Sequence, residues 1–532
     1  MKVLGDFTAT RRLIPISFVA VGIGILAAFV ALALLQLIGL FTNLCFFQRW
    51  DTSLVAPAGH SLGFMVMLVP IAGGLVIGLL ARFGSEKIRG HGIPEALESI
   101  LIRGSRVEAK LAVLKPLSAA ISIGTGGPFG AEGPIIMTGG AFGSLVAQRF
   151  HLTAAERKTL LVAGSAAGMA ATFGTPLAAT LLAVELLLFE WKPRSFVPVA
   201  LACASAMAAR HFLFDTGPLF PVDAPVAGDD IGVLLGCVAA GLGAGLLSIA
   251  MTASVYFFED LFHRLKLHWM WWPAIGGVAI GIGGLVEPRA LGVGYDVIGG
   301  LLSGHFALVA IVTLVVTKWA IWAVSLGSGT SGGVLAPLLM LGASLGALMG
   351  AILPAAPTGF WPLVTMGAIL GGTMRSPLTG ILFAAEVSGD FNALLPLSVA
   401  VVIAHAVTVL TLKRSVLTEK VARRGYHVSR EYEIDPLEVL FVREVMQPVT
   451  GELPVEQAHA GETLRTVTLR MANLRVTSLT VVDDRKTVVG VIELENVLVA
   501  RRRHLEEETR RELVAPLPSW VPLQSWIPLG KR

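Results

Sequence analysis

Gly124-Thr-Gly-Gly-Pro-Phe-Gly-Ala-Glu-Gly-Pro134 runs without a break into Pro134-Ile-Ile-Met-Thr-Gly-Gly-Ala-Phe-Gly-Ser-Leu145. The pattern returns as Gly327-Ser-Gly-Thr-Ser-Gly-Gly-Val-Leu-Ala-Pro337, which leads into Pro337-Leu-Leu-Met-Leu-Gly-Ala-Ser-Leu-Gly-Ala-Leu348. The two proline-led blocks stand at a constant offset of 203. A second pair, Thr175-Pro-Leu-Ala-Ala-Thr-Leu-Leu-Ala-Val-Glu185 and Ser376-Pro-Leu-Thr-Gly-Ile-Leu-Phe-Ala-Ala-Glu386, repeats at an offset of 201. Two separate blocks at nearly one offset make chance a poor explanation, so the chain is read as two related halves. In each half a glycine-rich turn enters a helix that starts at or just before a proline, a residue well placed in a first turn. The free N–H groups of that turn, at the positive end of the helix dipole, attract an anion without any basic side chain. A third turn, Gly90-His91-Gly92-Ile93-Pro94, adds another such end.

The surroundings of these turns are apolar. Of 532 residues, 54% are hydrophobic and only 15% charged, against about 25% charged in soluble domains; mean hydropathy is +0.74. The charge is uneven: 36 charged residues fall between Lys413 and Arg532, leaving about one in ten before them. A block that poor in charge cannot cover itself with a hydrated surface. The fold class expected is an all-α integral membrane protein with broken and re-entrant helices, followed by a small α/β soluble tail. Leu13–Cys45, Leu62–Leu80, Ile231–Phe257, Trp271–Leu285, Ala307–Val324 and Leu394–Leu412 approach or exceed the roughly 20 apolar residues a spanning helix needs. Other apolar stretches are shorter and cut by Gly and Pro. Such breaks at membrane depth are tolerated where the backbone is buried in protein or lines a cavity, and in transporters they build ion sites between repeats. Scattered glycines also serve plain helix packing. Arg11 and Arg12 ahead of the first span favour a cytoplasmic N-terminus.

Several classes drop out. A formal net charge of +4 with no basic stripe argues against nucleic acid as a partner. Cys45, Cys203 and Cys237 sit in apolar runs without metal-ligand spacing. H-E-x-x-H is absent, and the eleven histidines never pair at i, i+4 on a membrane helix, so no enzyme is expected. No cofactor is implied. A membrane-anchored sensor would not need two anion-cradling halves. Glu132 is the candidate that remains: an ionisable group inside a membrane block marks function by default. Its carboxylate can occupy an anion site as a tethered competitor and leave when protonated or displaced; the structural alternative is a helix cap or salt-bridge partner.

Together, GHGIPE (Gly90–Glu95), GAEGP (Gly130–Pro134) and GGVLAP (Gly332–Pro337) resemble, in order, the three signature stretches of the CLC family of chloride channels and chloride/proton exchangers, over roughly Thr10 to Gly425. The resemblance implies inverted-topology halves, a homodimer in the membrane lipid with one anion pathway per subunit, and Glu132 as the external gating glutamate. It implies an anion site formed by Gly90, His91, Gly92, Gly130, Gly133, Gly333, Val334, Leu335, Ala336 and Leu417. The chain departs from the family pattern at several of these. His91 replaces the coordinating serine, and it either donates N–H to the anion or turns away to a backbone carbonyl. Ala131 replaces a basic residue, Leu335 a phenylalanine, and Leu417 the tyrosine of the last membrane helix. Leu186 stands where exchangers of the family carry an inner proton-relay glutamate. That leans the reading towards a passive channel, with a proton-coupled chloride antiporter as the alternative. The multi-pass protein is expected in the plasma (inner) membrane with both termini cytoplasmic.

The division expected is 1–425 for the transmembrane domain, 426–441 for a linker, 442–514 for one cytoplasmic domain and 515–532 for a Pro/Trp-containing tail. The helix–strand–strand–helix order over Thr463–Met471, Ser478–Val482, Val488–Ile492 and Leu494–Arg503 resembles a single CBS motif, which implies pairing across a dimer. Gly490-Val-Ile-Glu-Leu-Glu-Asn496 lacks the Thr and Asp of adenine-nucleotide binders, which argues for a structural or dimerising role and against nucleotide binding.

Overall fold

Hydrophobic length decides which helices cross and which stop midway. A computed structural model describes residues 10–509, apart from 103, 215–216, 223–229, 427–436, 438–439 and 450–452. Among the described residues seven helical stretches are long and apolar enough to cross a bilayer: Leu13–Phe47, Gly63–Phe83, Pro193–Leu213, Ile231–Arg264, Trp269–Val286, Leu308–Gly327 and Phe391–Arg423. Six correspond to expected spans. Pro193–Leu213 was not expected, because Arg194, Arg210, His211 and two prolines dilute an alanine-rich run. Large apolar side chains stand uncovered on these helices, such as Phe18 at 75% and Leu410 at 88% exposed. Such uncovered apolar surface fits an integral membrane protein.

Four of the other helices are short. Ile93–Leu101, Glu132–Ala147, Tyr295–Leu302 and Leu335–Met349 run 9, 16, 8 and 15 residues, so at about 1.5 Å per residue each ends inside the bilayer. Their core is packed backbone to backbone. A Cβ on Gly139 would strike the Gly164 carbonyl, and one on Gly164 the Gly139 carbonyl, so Glu132–Ala147 lies directly on the almost wholly buried Ala154–Phe173 helix.

The repeat is visible in reciprocal contacts. Glu386 accepts hydrogen bonds from the Leu177 and Ala178 amides at 3.0 and 2.8 Å, at the start of Pro176–Leu182. Glu185 accepts from the Leu378 and Thr379 amides at 3.0 and 2.8 Å, at the start of Pro377–Ser388. Each half thus caps the matching helix of the other, as a pseudo-twofold relation between halves requires. Beyond Pro176–Leu182 the chain winds as a π-helix from Ala183 to Leu188. That stretch contains Glu185 and the fully buried Leu186.

At the C-terminal end β1 (Gln457–His459) pairs in parallel with β2 (Ser478–Val482), which pairs antiparallel with β3 (Val488–Glu493). The helix Leu464–Leu474 forms the crossover and Leu494–Thr509 follows β3. The expected helix–strand–strand–helix order is present, with one short strand ahead of it. Most of 426–441 and all of 515–532 lie outside the described residues.

Candidate anion-binding site

Three glycine-rich turns meet where the short helices begin. Gly90 pairs with Ser331, and Gly130 with Gly333, as isolated bridges. The Gly130 amide donates to the Gly333 carbonyl at 3.2 Å, and the Gly333 amide donates to the Gly130 carbonyl at 2.9 Å. Gly92, at φ +90°, lies so close to Gly133 that a side chain would strike the Gly133 carbonyl; one on Gly133 would strike the His91 carbonyl. Only glycine allows backbones to approach this closely.

This knitting corrects part of the expected anion site. The Gly130 and Gly333 amides are spent on each other's carbonyls. The Gly92 amide donates to Glu95 Oε2 at 2.8 Å, so its own helix caps it. These three residues shape the site and do not offer their N–H groups to an anion. The amides of Glu132, Gly133, Val334, Leu335 and Ala336 remain. They belong to first turns, where no intrahelical partner exists, and none of them donates to an outside backbone acceptor among the described residues.

Glu132 is wholly buried and begins its helix. Its Oε1 accepts the Tyr295 hydroxyl at 3.3 Å. Oε2 makes no hydrogen bond within ordinary geometry, while the carboxyl group as a whole stands near the amides of Glu132 itself and of Ala336. Oε2 is the oxygen that faces the Gly333 turn, 2.8 Å from where a Gly333 Cβ would sit. The carboxylate therefore fills the space between the first turns of the two repeat-related helices. Tyr295 was not singled out from sequence. Its turn, Gly292-Val-Gly294-Tyr295, lacks the proline that marked the others. Its ring is held edge-on by Phe173 and Phe220, at centroid distances of 6.1 and 5.8 Å.

His91 is 2% exposed and its Nδ1 is buried with no hydrogen-bond partner among the described residues, so the carbonyl-bonded alternative has no support at that atom. Beneath it lies a charged cluster. Glu95 takes Arg424 at 3.0 Å and Lys420 at 3.6 Å, and Glu98 takes Arg424 at 2.6 Å. Leu417 is fully buried on Val416–Arg423, which packs against Ile93–Leu101. The Tyr256 hydroxyl, from another helix, donates to the Val416 carbonyl.

A multi-pass membrane fold with repeated broken helices, amide-lined first turns and a buried carboxylate among them defines an anion-transport protein of the CLC type. The family profile for voltage gated chloride channels matches residues 73–409, well over half of the chain, which therefore belongs to that family. The voltage-gated ClC-type chloride channel ClcB of Salmonella typhimurium is 30% identical over 417 residues, covering 75% of this chain and 96% of that protein. The H(+)/Cl(-) exchange transporter ClcA of Salmonella schwarzengrund is 29% identical over 413 residues, covering 72% and 83%. Among solved structures, a slow cyanobacterial Cl-/H+ antiporter superposes with TM-score 0.66 at 20% identity over 78% of this chain and 98% of that one. A CLC-type fluoride/proton antiporter gives 0.65 at 20% over 75% and 97%. Relatives named as channel and as exchanger are equally similar, so the lean towards a channel drawn from Leu186 finds no support.

Proposed function

We propose that this CLC-type anion transporter is a proton-coupled antiporter of chloride or a similar small anion, with Glu132 as the group that anion and proton share. The observation that carries the proposal is the wholly buried Glu132 carboxylate lying in the amide cradle, with one oxygen unbonded. In place, the carboxylate is the cradle's anion. Protonation removes its charge, the attraction to the first-turn amides falls, and an anion takes the vacated position against Gly133, Val334, Leu335 and Ala336. His91 contributes an N–H from the Gly90–Gly92 turn. One group that leaves on protonation and returns on anion loss links the two fluxes. With Leu186 apolar and buried in the π-helical stretch, the proton's second half-path bypasses that position, through water.

Glu132→Gln tests this. Chloride flux into liposomes should change and lose its dependence on external pH, because a neutral amide neither titrates nor competes as a charge; an unchanged pH profile contradicts the assignment. The homodimer belongs to the same proposal, supported by the mutually capped helices Pro176–Leu182 and Pro377–Ser388, which leave Leu177 and Leu378 54% and 43% exposed. The mass of the protein in detergent should be that of two chains; a single-chain mass would remove the dimer. The C-terminal domain is proposed as a CBS-like structural or dimerising unit, and nucleotide binding forms no part of the reading. A shift of its melting temperature by ATP or AMP would count against that.

A further inference from the structure

Lys115 and Lys318 stand 203 residues apart, the offset that separates the two proline-led blocks. Both are wholly buried. Lys115 Nζ donates to the carbonyls of Ile88 and Gly90 at 2.8 and 2.7 Å. Lys318 Nζ donates to those of Ala290 and Gly292, both at 2.9 Å. The backbones match as well: Gly90 and Gly92 lie at φ +89° and +90°, Gly292 and Gly294 at +66° and +78°. Gly292-Val293-Gly294-Tyr295 is therefore the second half's version of Gly90-His91-Gly92-Ile93, and each turn is clamped by a buried ammonium.

What surrounds the two ammonium groups differs. Lys115 gives a third hydrogen bond to the Ser331 hydroxyl at 3.2 Å and has the salt-bridged Glu95 beside it. Lys318 Nζ lies 3.9 Å from where a Gly294 Cβ would sit, on the turn that brings Tyr295 to Glu132, and the acidic groups whose charges act on it are Asp296 and Glu132. Asp296 follows Tyr295 on the neighbouring helix and is exposed, so water and salt screen its charge. Glu132 is buried and is bonded by Tyr295, the residue after Gly294. An ammonium wholly buried at membrane depth is costly unless its charge is met.

We propose that Lys318 is the fixed positive charge of the pathway at Glu132, neutralised in turn by the Glu132 carboxylate and by the permeant anion that replaces it. The proposal rests on the gating role assigned to Glu132 and adds its counter-charge. One unit of positive charge is matched by one carboxylate or by one small monovalent anion at that position. This counter-charge role explains why the Lys318 clamp lies on the turn that carries Tyr295 to the gate. The alternative is that Lys318 only pins the Ala290–Gly292 backbone.

Calorimetric titration of the purified full-length protein with chloride separates these. Glu132→Gln should bind chloride more tightly, or bind one more per chain, than the parent, because the competitor has lost its charge. In that background Lys318→Gln keeps donors for the turn carbonyls but removes the charge, and should weaken chloride binding on the order of ten-fold. Lys318→Arg keeps the charge and should stay within about three-fold. Chloride binding by Lys318→Gln as tight as in the Glu132→Gln parent overturns the proposal. So does an equal loss in Lys318→Arg, which would mark a backbone clamp, and that variant decides alone should Lys318→Gln not fold. Identical isotherms for parent and Glu132→Gln would overturn the gating role, and the counter-charge with it; failure at Lys318 alone leaves the gate standing.

Discussion

Glu132 was legible because charge is rare before residue 413 and this one follows a glycine-rich turn. Tyr295 was not, because it reaches Glu132 across 163 residues and no local pattern announces such a contact. Its hydroxyl donates to the carboxylate, while its ring stays packed on Phe173 and Phe220 whether or not the oxygen is present. Tyr295→Phe therefore removes one restraint on the gate at little packing cost. A hydrogen bond to a charged group contributes roughly 1.5–3 kcal/mol, and the 3.3 Å separation places this one at or below the low end. Chloride flux at a pH where the gate is mostly closed should rise about five-fold, with no further effect in a Glu132→Gln background. Equal flux from Tyr295→Phe and parent would mean that the hydroxyl does not hold the carboxylate. The glycines teach the opposite lesson. They lie together at the helix starts, but Gly92, Gly130 and Gly333 spend their amides on holding the turns together, which leaves the adjoining first-turn amides as the candidate cradle.

At the scale of elements, four of the six long apolar spans were read to within about three residues at either end, because bilayer thickness sets their length. Those starting at Ile231 and Leu394 run on to Arg264 and Arg423, past the end of the apolar run. Ala154–Phe173 and Pro193–Leu213 were missed. Both are rich in alanine and open on charged residues, so neither shows a continuous apolar run. The repeat offset predicted equivalent helices but could not show that Glu185 and Glu386 cap each other's partners. An uncapped helix start costs about 0.5–2 kcal/mol. Glu386→Ala should lower stability within that range. Glu185→Ala should cost more, because Glu185 also accepts the Thr379 hydroxyl at 2.7 Å while alanine occupies the mirrored position 178. Thermal unfolding in detergent measures both, and melting temperatures equal to the parent's would show that the caps contribute nothing to stability.

For the whole molecule, the split between an apolar block and a charged tail followed from composition alone, and the three ordered motifs placed the block in its family. Transport mode was less legible. Leu186 suggested a channel because a single apolar residue replaces an expected carboxylate, yet a proton route can pass through water that no sequence position records. The structure places Tyr295, from the other half, in hydrogen-bond contact with the buried Glu132; a site shared by anion and proton at Glu132, with Lys318 as its counter-charge, is what we propose. The most direct test is proton movement by purified protein in liposomes under a chloride gradient, with the membrane potential clamped by an ionophore. Protons driven uphill by chloride, and no longer driven in Glu132→Gln, is the result the account predicts. Chloride flux with no accompanying proton movement would contradict it and return the protein to the passive channels.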